Sequence, residues 1–396
     1  MPPASPSTAR ALNDRLALRL LQHQGPLTAG QLKTLTGLSR PTVADLVERL
    51  QGSGLIHVVG ETGADRRGPN ARVYGIVADQ AHLAAVDVRM NSVGVVVADL
   101  VGTTLAEAAA PIDSAGGIED AVEQAVSLVE RTAYEAGATR LHSVGVGAPG
   151  LVDPTTGELR DSSGLPAWHR RLVVALQQRL PAKVLVENET NLAATAERRY
   201  GAARDHDTFV LVWLSLGIGA AVVLDGRVRR GASGGAGELG FLPVPGTDGL
   251  PSAGSCDGGF HSLCGSPAIV ELGAEHGLSV PDGAGLHEPP AAALVRTAVS
   301  AGTPGADAFL DALATRLALG AASVAAVLDP GCVVLGGETG HAGGPDLAAR
   351  VQERLAPLSP VRTEIRATTL GGDAILRGAL LAAQQAAQDA LFPSGT

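Results

Sequence analysis

A chain of 396 residues, 45% hydrophobic and 18% charged, has enough apolar surface for more than one core. Its formal charge of −10 and three cysteines exclude a uniformly basic nucleic-acid coat and a disulfide-stapled secreted domain. The charge is uneven: residues 1–80 hold nine Arg and Lys against six Asp and Glu, which leaves +3 there and −13 in the remainder. Contact with nucleic-acid phosphate is therefore expected only from the N-terminal part. The longest apolar run, Phe209 to Leu224, is too short and too glycine-broken for a membrane span. With no signal peptide at the start, a cytoplasmic protein with no membrane partner is expected.

Residues 1–12, rich in Pro, Ser and Ala, read as a flexible lead. From Asn13, Leu16, Leu20 and Leu21 recur at helical spacing until Gly25-Pro26. A second helix follows Thr28 as N-cap, turns Leu32 and Leu35 inward and closes at Gly37. A third follows Ser39, tolerates Pro41 in its first turn and buries Val43, Leu46, Val47 and Leu50. Leu55 to Gly60 and Arg72 to Val77 read as strands joined by a polar loop. Three helices and a hairpin predict a winged helix-turn-helix over residues 13–78.

That layout leaves Arg40, Thr42, Ala44 and Asp45 pointing outward at the start of the third helix, where base edges are met in the major groove. Arg40 suits guanine or a phosphate, Thr42 a phosphate or a thymine methyl, and Ala44 close approach. Asp45 has two readings, an acceptor for cytosine or a partner for a neighbouring cation. Thr28 and Ser39, at the helix N-termini, complete the set. Arg66, Arg67 and Arg72 flank a Gly-Pro turn in the wing and suit a narrow minor groove. Lys33 stands where a small residue usually packs, so its stem is expected along the helix with the ammonium outside.

After Asp79, strands alternate with helices: Leu83 to Arg89, Val93 to Leu100, a helix from Ile118 to Ala136, and a strand from Ser143 to Val146. A second set runs from Phe209 through Ala-rich helices between Ala291 and Leu328, a strand at Cys332 to Leu335 and a closing helix from Asp373. This predicts an α/β body of two lobes, 79–205 and 206–396, with the closing helix free to return to the first. A cleft between the lobes is where a ligand is expected.

Several motifs in order, Val144-Gly-Val-Gly-Ala-Pro-Gly-Leu-Val-Asp153, Leu165-Pro-Ala-Trp168, Val186-Glu-Asn-Glu-Thr-Asn191, Gly231-Ala-Ser-Gly-Gly-Ala-Gly-Glu-Leu-Gly240 and Leu335-Gly-Gly337, resemble the ROK family of repressors and sugar kinases. The resemblance implies an actin-like, hexokinase-like ATPase fold. It also locates what is missing. Where family kinases carry Asp-x-Gly-x-Thr, this chain has Asp87-Val-Arg-Met-Asn91, and the second phosphate turn reads Ser215-Leu216-Gly217-Ile-Gly219. Added side chains and a lost hydroxyl argue against a phosphate cradle at either place. The general-base aspartate is replaced by Glu189, between Asn188 and Asn191, and a longer side chain misplaces the carboxylate.

Of the sugar-holding residues the resemblance implies, Glu238 is kept, while Gly164, Phe241 and His261 replace an asparagine, a histidine and a glutamate. Asn188, Glu189, Glu238 and His261 remain as candidate effector contacts. The family's zinc cluster is reduced to Cys256, Cys264 and His261, so no metal and no cofactor is expected. The overall expectation is a regulator that is not an enzyme. It would act as a homodimer or homotetramer on an inverted-repeat operator in double-stranded DNA and answer to a sugar or sugar phosphate. Two alternatives stand beside it, a ligand-blind regulator whose body only oligomerises, and an active sugar kinase.

Overall fold

The computed structural model describes residues 6–62, 71–160, 165–282 and 288–392. Helix α1 (Pro6–Gln24) buries Asp14, Ala17, Leu18 and Leu21, an i, i+3, i+4, i+7 stripe. It starts inside the stretch expected to be a flexible lead, because Pro6 suits a first helical turn and the residues after it are ordinary helix formers. Leu16, off the stripe, is 42% exposed, contrary to expectation.

A short strand β1 (Leu27–Thr28) precedes α2 (Ala29–Thr36) and α3 (Arg40–Gly52). Thr28 and Gln31 cap α2 reciprocally, and Gly37 closes it in the left-handed conformation. In this eight-residue helix Leu32 is buried while Leu35 is 43% exposed, a second correction, since so short an element turns Leu32 but not Leu35 fully onto the core. Ser39 caps α3, whose Val43, Leu46, Val47 and Leu50 are buried as expected. Strands β2 (Ile56–Thr62) and β3 (Ala71–Ile76) form the hairpin, and β1 adds to β3 to give a sheet of order β1-β3-β2. Arg49 on α3 reaches Asp14 on α1 at 2.5 Å, an ion pair that pins the first helix to the third.

The body repeats one design twice. Strands β4 (His82–Val88), β5 (Ser92–Asp99) and β6 (Thr104–Pro111) form an antiparallel meander. Then α4 (Ile118–Glu135), β7 (Leu141–Ala148), α5 (Trp168–Arg179), β8 (Lys183–Asn188) and α6 (Glu189–Tyr200) extend the sheet in parallel. The second meander is β9 (Phe209–Leu214), β10 (Ile218–Leu224) and β11 (Arg227–Arg229), and α7 (His261–Cys264), α8 (Ser266–Glu275) and α9 (Pro290–Ala301) follow it.

Next come α10 (Pro304–Leu328), β12 (Cys332–Gly336), α11 (Gly337–Leu355), β13 (Glu364–Ala367) and α12 (Ala374–Leu391). The strand orders, β6-β5-β4-β7-β8 and β11-β10-β9-β12-β13, are the same pattern. Helix α10 has the length and composition of a membrane span, but its Phe309, Leu310, Leu313 and Leu317 lie in the second lobe's core.

Two features tie the parts together. Helix α12 packs on β4 and β7 of the first sheet and on α6, with Ala374, Ile375 and Ala379 in a core shared with Leu211 and Val334 of the second lobe. At its far end Ala383, Ala387 and Phe392 join Leu83 and Leu100 in the same apolar cluster as Ala17, Leu18, Leu21, Leu46 and Leu50 of the winged helix. The N-terminal arm therefore shares a continuous core with the body.

Candidate DNA-binding face and ligand cleft

Capping fixes the start of α3. Ser39 Oγ accepts from the Thr42 amide at 3.3 Å, and its hydroxyl lies 2.8 Å from that of Thr42. Thr42 is thereby held half-buried, while Arg40, Ala44 and Asp45 are exposed. Thr28 is engaged in its own capping box and half-buried. The carboxylate of Asp45 meets Arg49, one turn on. Arg40 is the cation of the first turn of α3. Ala44, with Glu48 and Gln51, borders a shallow groove that also touches Ala29 and Tyr74.

Lys33 is exposed, as its chemistry requires. In the wing, Arg72 is exposed and sits opposite Glu61 in the strand ladder, where the opposite charge offsets it. Arg66 and Arg67 lie outside the described residues.

In the body, side chains at the β4–β5 turn are tied to each other and to the second lobe. Asp87, 2% exposed, accepts from Arg89 Nε at 2.7 Å, and Arg89 Nη1 reaches Glu338 of the second lobe at 2.5 Å. Asn91 is exposed, and its carbonyl accepts from the Ile112 amide. The second turn curls on itself, with the Ser215 amide donating to the Gly217 carbonyl at 3.0 Å. The carbonyl of Leu216 is held by the Ser266 amide at 3.0 Å, and its side chain is 46% exposed. A β-carbon at Gly217 would lie 3.5 Å from His261, and one at Gly219 would lie 3.3 Å from Thr190, so this turn faces the expected effector region.

Asn188 caps α6 and donates from Nδ2 to the Gly150 carbonyl at 3.1 Å and to Glu189 at 3.0 Å. Loss of water around Glu189 raises its carboxyl to about 8, with repulsion from Asp87 and Glu238 adding to the shift. The Arg89 charge acts in the opposite sense and lowers it. A carboxyl that keeps its proton near neutrality is a poor general base. Glu238 is exposed, His261 is half-buried, with burial lowering its pKa, and Phe241 is 38% exposed. Gly164 lies outside the described residues. Cys264 belongs to the second lobe's core, and among the described residues no group of three His, Cys, Asp or Glu is placed to hold a metal.

Reading the sequence did not single out Arg89, Glu338 or the buried His169. The available signal was the spacing of Asp87 and Arg89, two apart at a strand end, which turns both side chains to one side.

Over 249 residues, 61% of this chain and 62% of the relative, the chain is 25% identical to the xylose repressor of Bacillus subtilis (strain 168). Over 239 residues, 59% of this chain and 58% of the relative, it is 27% identical to the DNA-binding transcriptional dual regulator NagC of Escherichia coli (strain K12). Each of these two alignments covers less than two thirds of the relative. The crystal structure of a ROK family transcriptional regulator, a homolog of the E. coli MLC protein, superposes with a TM-score of 0.71. That superposition covers 97% of this chain and 98% of the other at 21% identity, and it supports the fold. The MarR family profile matches residues 12–68. The ROK family profile matches residues 83–386, and with the duplicated sheets this means that the chain belongs to the ROK family.

Proposed function

We propose that the protein is a sequence-specific DNA-binding transcriptional regulator whose body carries out no phosphoryl transfer. The observation that carries the reading is the exposed first turn of α3, with Arg40 at its tip beside a wing, on a body whose first phosphate turn carries Arg89 in two ion pairs. A kinase needs open backbone at that turn and a base ready to take a proton. This chain has a salt-bridged arginine at the first and a protonated Glu189 at the second. The names of the relatives, a xylose repressor and NagC, favour a role in carbohydrate metabolism.

The working unit is a cytoplasmic homodimer or homotetramer that sets paired winged helices on an inverted repeat, about one helical turn or a multiple of it apart. The two lobes divide the chain near residue 205, and an unmodified or phosphorylated sugar is the effector class the cleft inherits. The wing's Arg66 and Arg67 supply further charge for the minor groove.

The test is operator binding by fluorescence anisotropy, on sites found by genome-wide mapping. Arg40→Ala is expected to weaken specific binding about tenfold or more, the scale of one base contact of roughly 1–3 kcal/mol. Its thermal unfolding should match the parent, because Arg40 is exposed. Unchanged affinity would remove the first turn of α3 from the interface.

A further inference from the structure

Arg89, at the end of β4, joins the first lobe to the second and to the start of α12. Its Nε donates to Asp87 in the first lobe at 2.7 Å and its Nη1 to Glu338 in the second lobe at 2.5 Å. Its Nη2 donates to the Gly372 carbonyl at 3.2 Å, just ahead of α12. The side chains of Arg89, Asp87 and Glu338 are 15%, 3% and 11% exposed. Behind them, His169 Nε2 donates to the Arg89 carbonyl at 3.1 Å and so holds the backbone of the turn. One rigid, forked cation thus fastens three separate pieces of the chain, and a guanidinium does this where an ammonium could not reach all three in plane. With so little water near, breaking one arm leaves a carboxylate without its counter-charge.

Helix α12 leads from this joint to the N-terminal arm. At eighteen residues it is about 27 Å long. Its far end shares a core with Ala17, Leu18 and Leu21, its Asp389 meets Arg15, and Gln384 donates to the Leu100 carbonyl at 3.0 Å. A cavity of about 740 Å³ has Asp87, Arg89 and Glu338 in its wall together with His341, Arg296 and Glu107, so a small molecule lodged there meets the joint directly.

We propose that Arg89 is a positioning residue of this protein, an interlobe joint that fixes the start of α12 and, through that helix, the pose of the winged helix. The DNA consequence rests on the regulator reading above, whereas the mechanical one does not. The joint is released when an arm is broken, and the effect then travels to the far end of α12 without loosening the lobe cores.

Hydrogen exchange on the full chain tests this with Glu338→Gln, which keeps an acceptor for Arg89 but removes the charge, and with Arg89→Met and Arg89→Lys. The expected result for Glu338→Gln and Arg89→Met is exchange at least tenfold faster in residues 385–392 and 14–22, unchanged exchange in β7 and β12, and several-fold weaker operator binding. Arg89→Lys should fall between these and the parent. Unchanged exchange at the far end, or equal acceleration throughout both lobes, would overturn the proposal. If Arg89→Met does not fold, Glu338→Gln and Arg89→Lys decide the matter. Parent protein that bound no DNA at all would defeat the regulator reading, and the exchange pattern would still judge the joint.

Discussion

Gly378→Val is expected to cost about 3 kcal/mol or more and to leave little folded protein. Residue 378 lies on the face of α12 that meets α6. A β-carbon there would run into the carbonyl of Leu192 and lie 2.8 Å from its Cα, and backbone in a helix cannot rotate away. Escape outward is blocked from another side, since the space a β-carbon at Gly145 of β7 would need is already filled by the backbone of Ala379. The helix therefore cannot slide to relieve the clash. The damage would extend past the site, because the same helix completes the core of the N-terminal arm. Chemical denaturation measures the loss, with Gly52→Ala as control: residue 52 has no neighbour within 4 Å of a β-carbon, so that variant should unfold within about 0.5 kcal/mol of the parent. Parent-like unfolding of Gly378→Val would mean that α12 does not sit this tightly.

Stability should fall as pH rises from about 5 to about 8, and Glu189→Gln should remove much of that slope. In the folded chain the carboxyl holds its proton up to about 8, whereas in the unfolded chain it releases it near the ordinary glutamate value of 4.5. Across that window the folded state binds more protons, so a rise in pH favours unfolding. The side chain keeps partial access to water, which reduces the effect to on the order of 2 kcal/mol. Glutamine mimics the protonated form, so the variant should be the more stable protein at pH 8.5 and nearly equal to the parent at pH 5. Identical slopes in parent and variant would contradict a Glu189 that keeps its proton in the folded chain. His169 acts at the acid end: burial lowers its pKa to about 4, so stability that it contributes near neutrality is lost as pH falls from about 6.5 through 4.

The winged helix was legible because its signals are local. Thr28, Ser39 and Gly37 act within one turn of themselves, and the buried set on α3 follows a helical period. The paired lobes were legible through the runs of β-branched residues that form β4, β5, β9 and β12. Strand β6 was not foreseen, since Thr104-Leu-Ala-Glu-Ala-Ala-Ala-Pro111 is alanine-rich, lies at the sheet edge and offers little strand propensity. Leu16 and Leu35 show the limit of counting apolar residues, because which face is covered depends on partners far along the chain.

At the cleft, the sequence showed that glycine was missing from the first phosphate turn, and the structure adds what the replacement does. Arg89 reaches Glu338, 249 positions away, and no local pattern announces a pairing of that span.

The core shared by α1 and α12 also has a consequence for how the protein is made. A ribosome delivers the winged helix early, yet Ala17, Leu18 and Leu21 lack the cover of Ala383, Ala387 and Phe392 until α12 has emerged. The newborn arm therefore waits with an apolar flank uncovered, the kind of surface that holding chaperones bind. A chain cut short before α12 should present its winged helix with this flank unsealed.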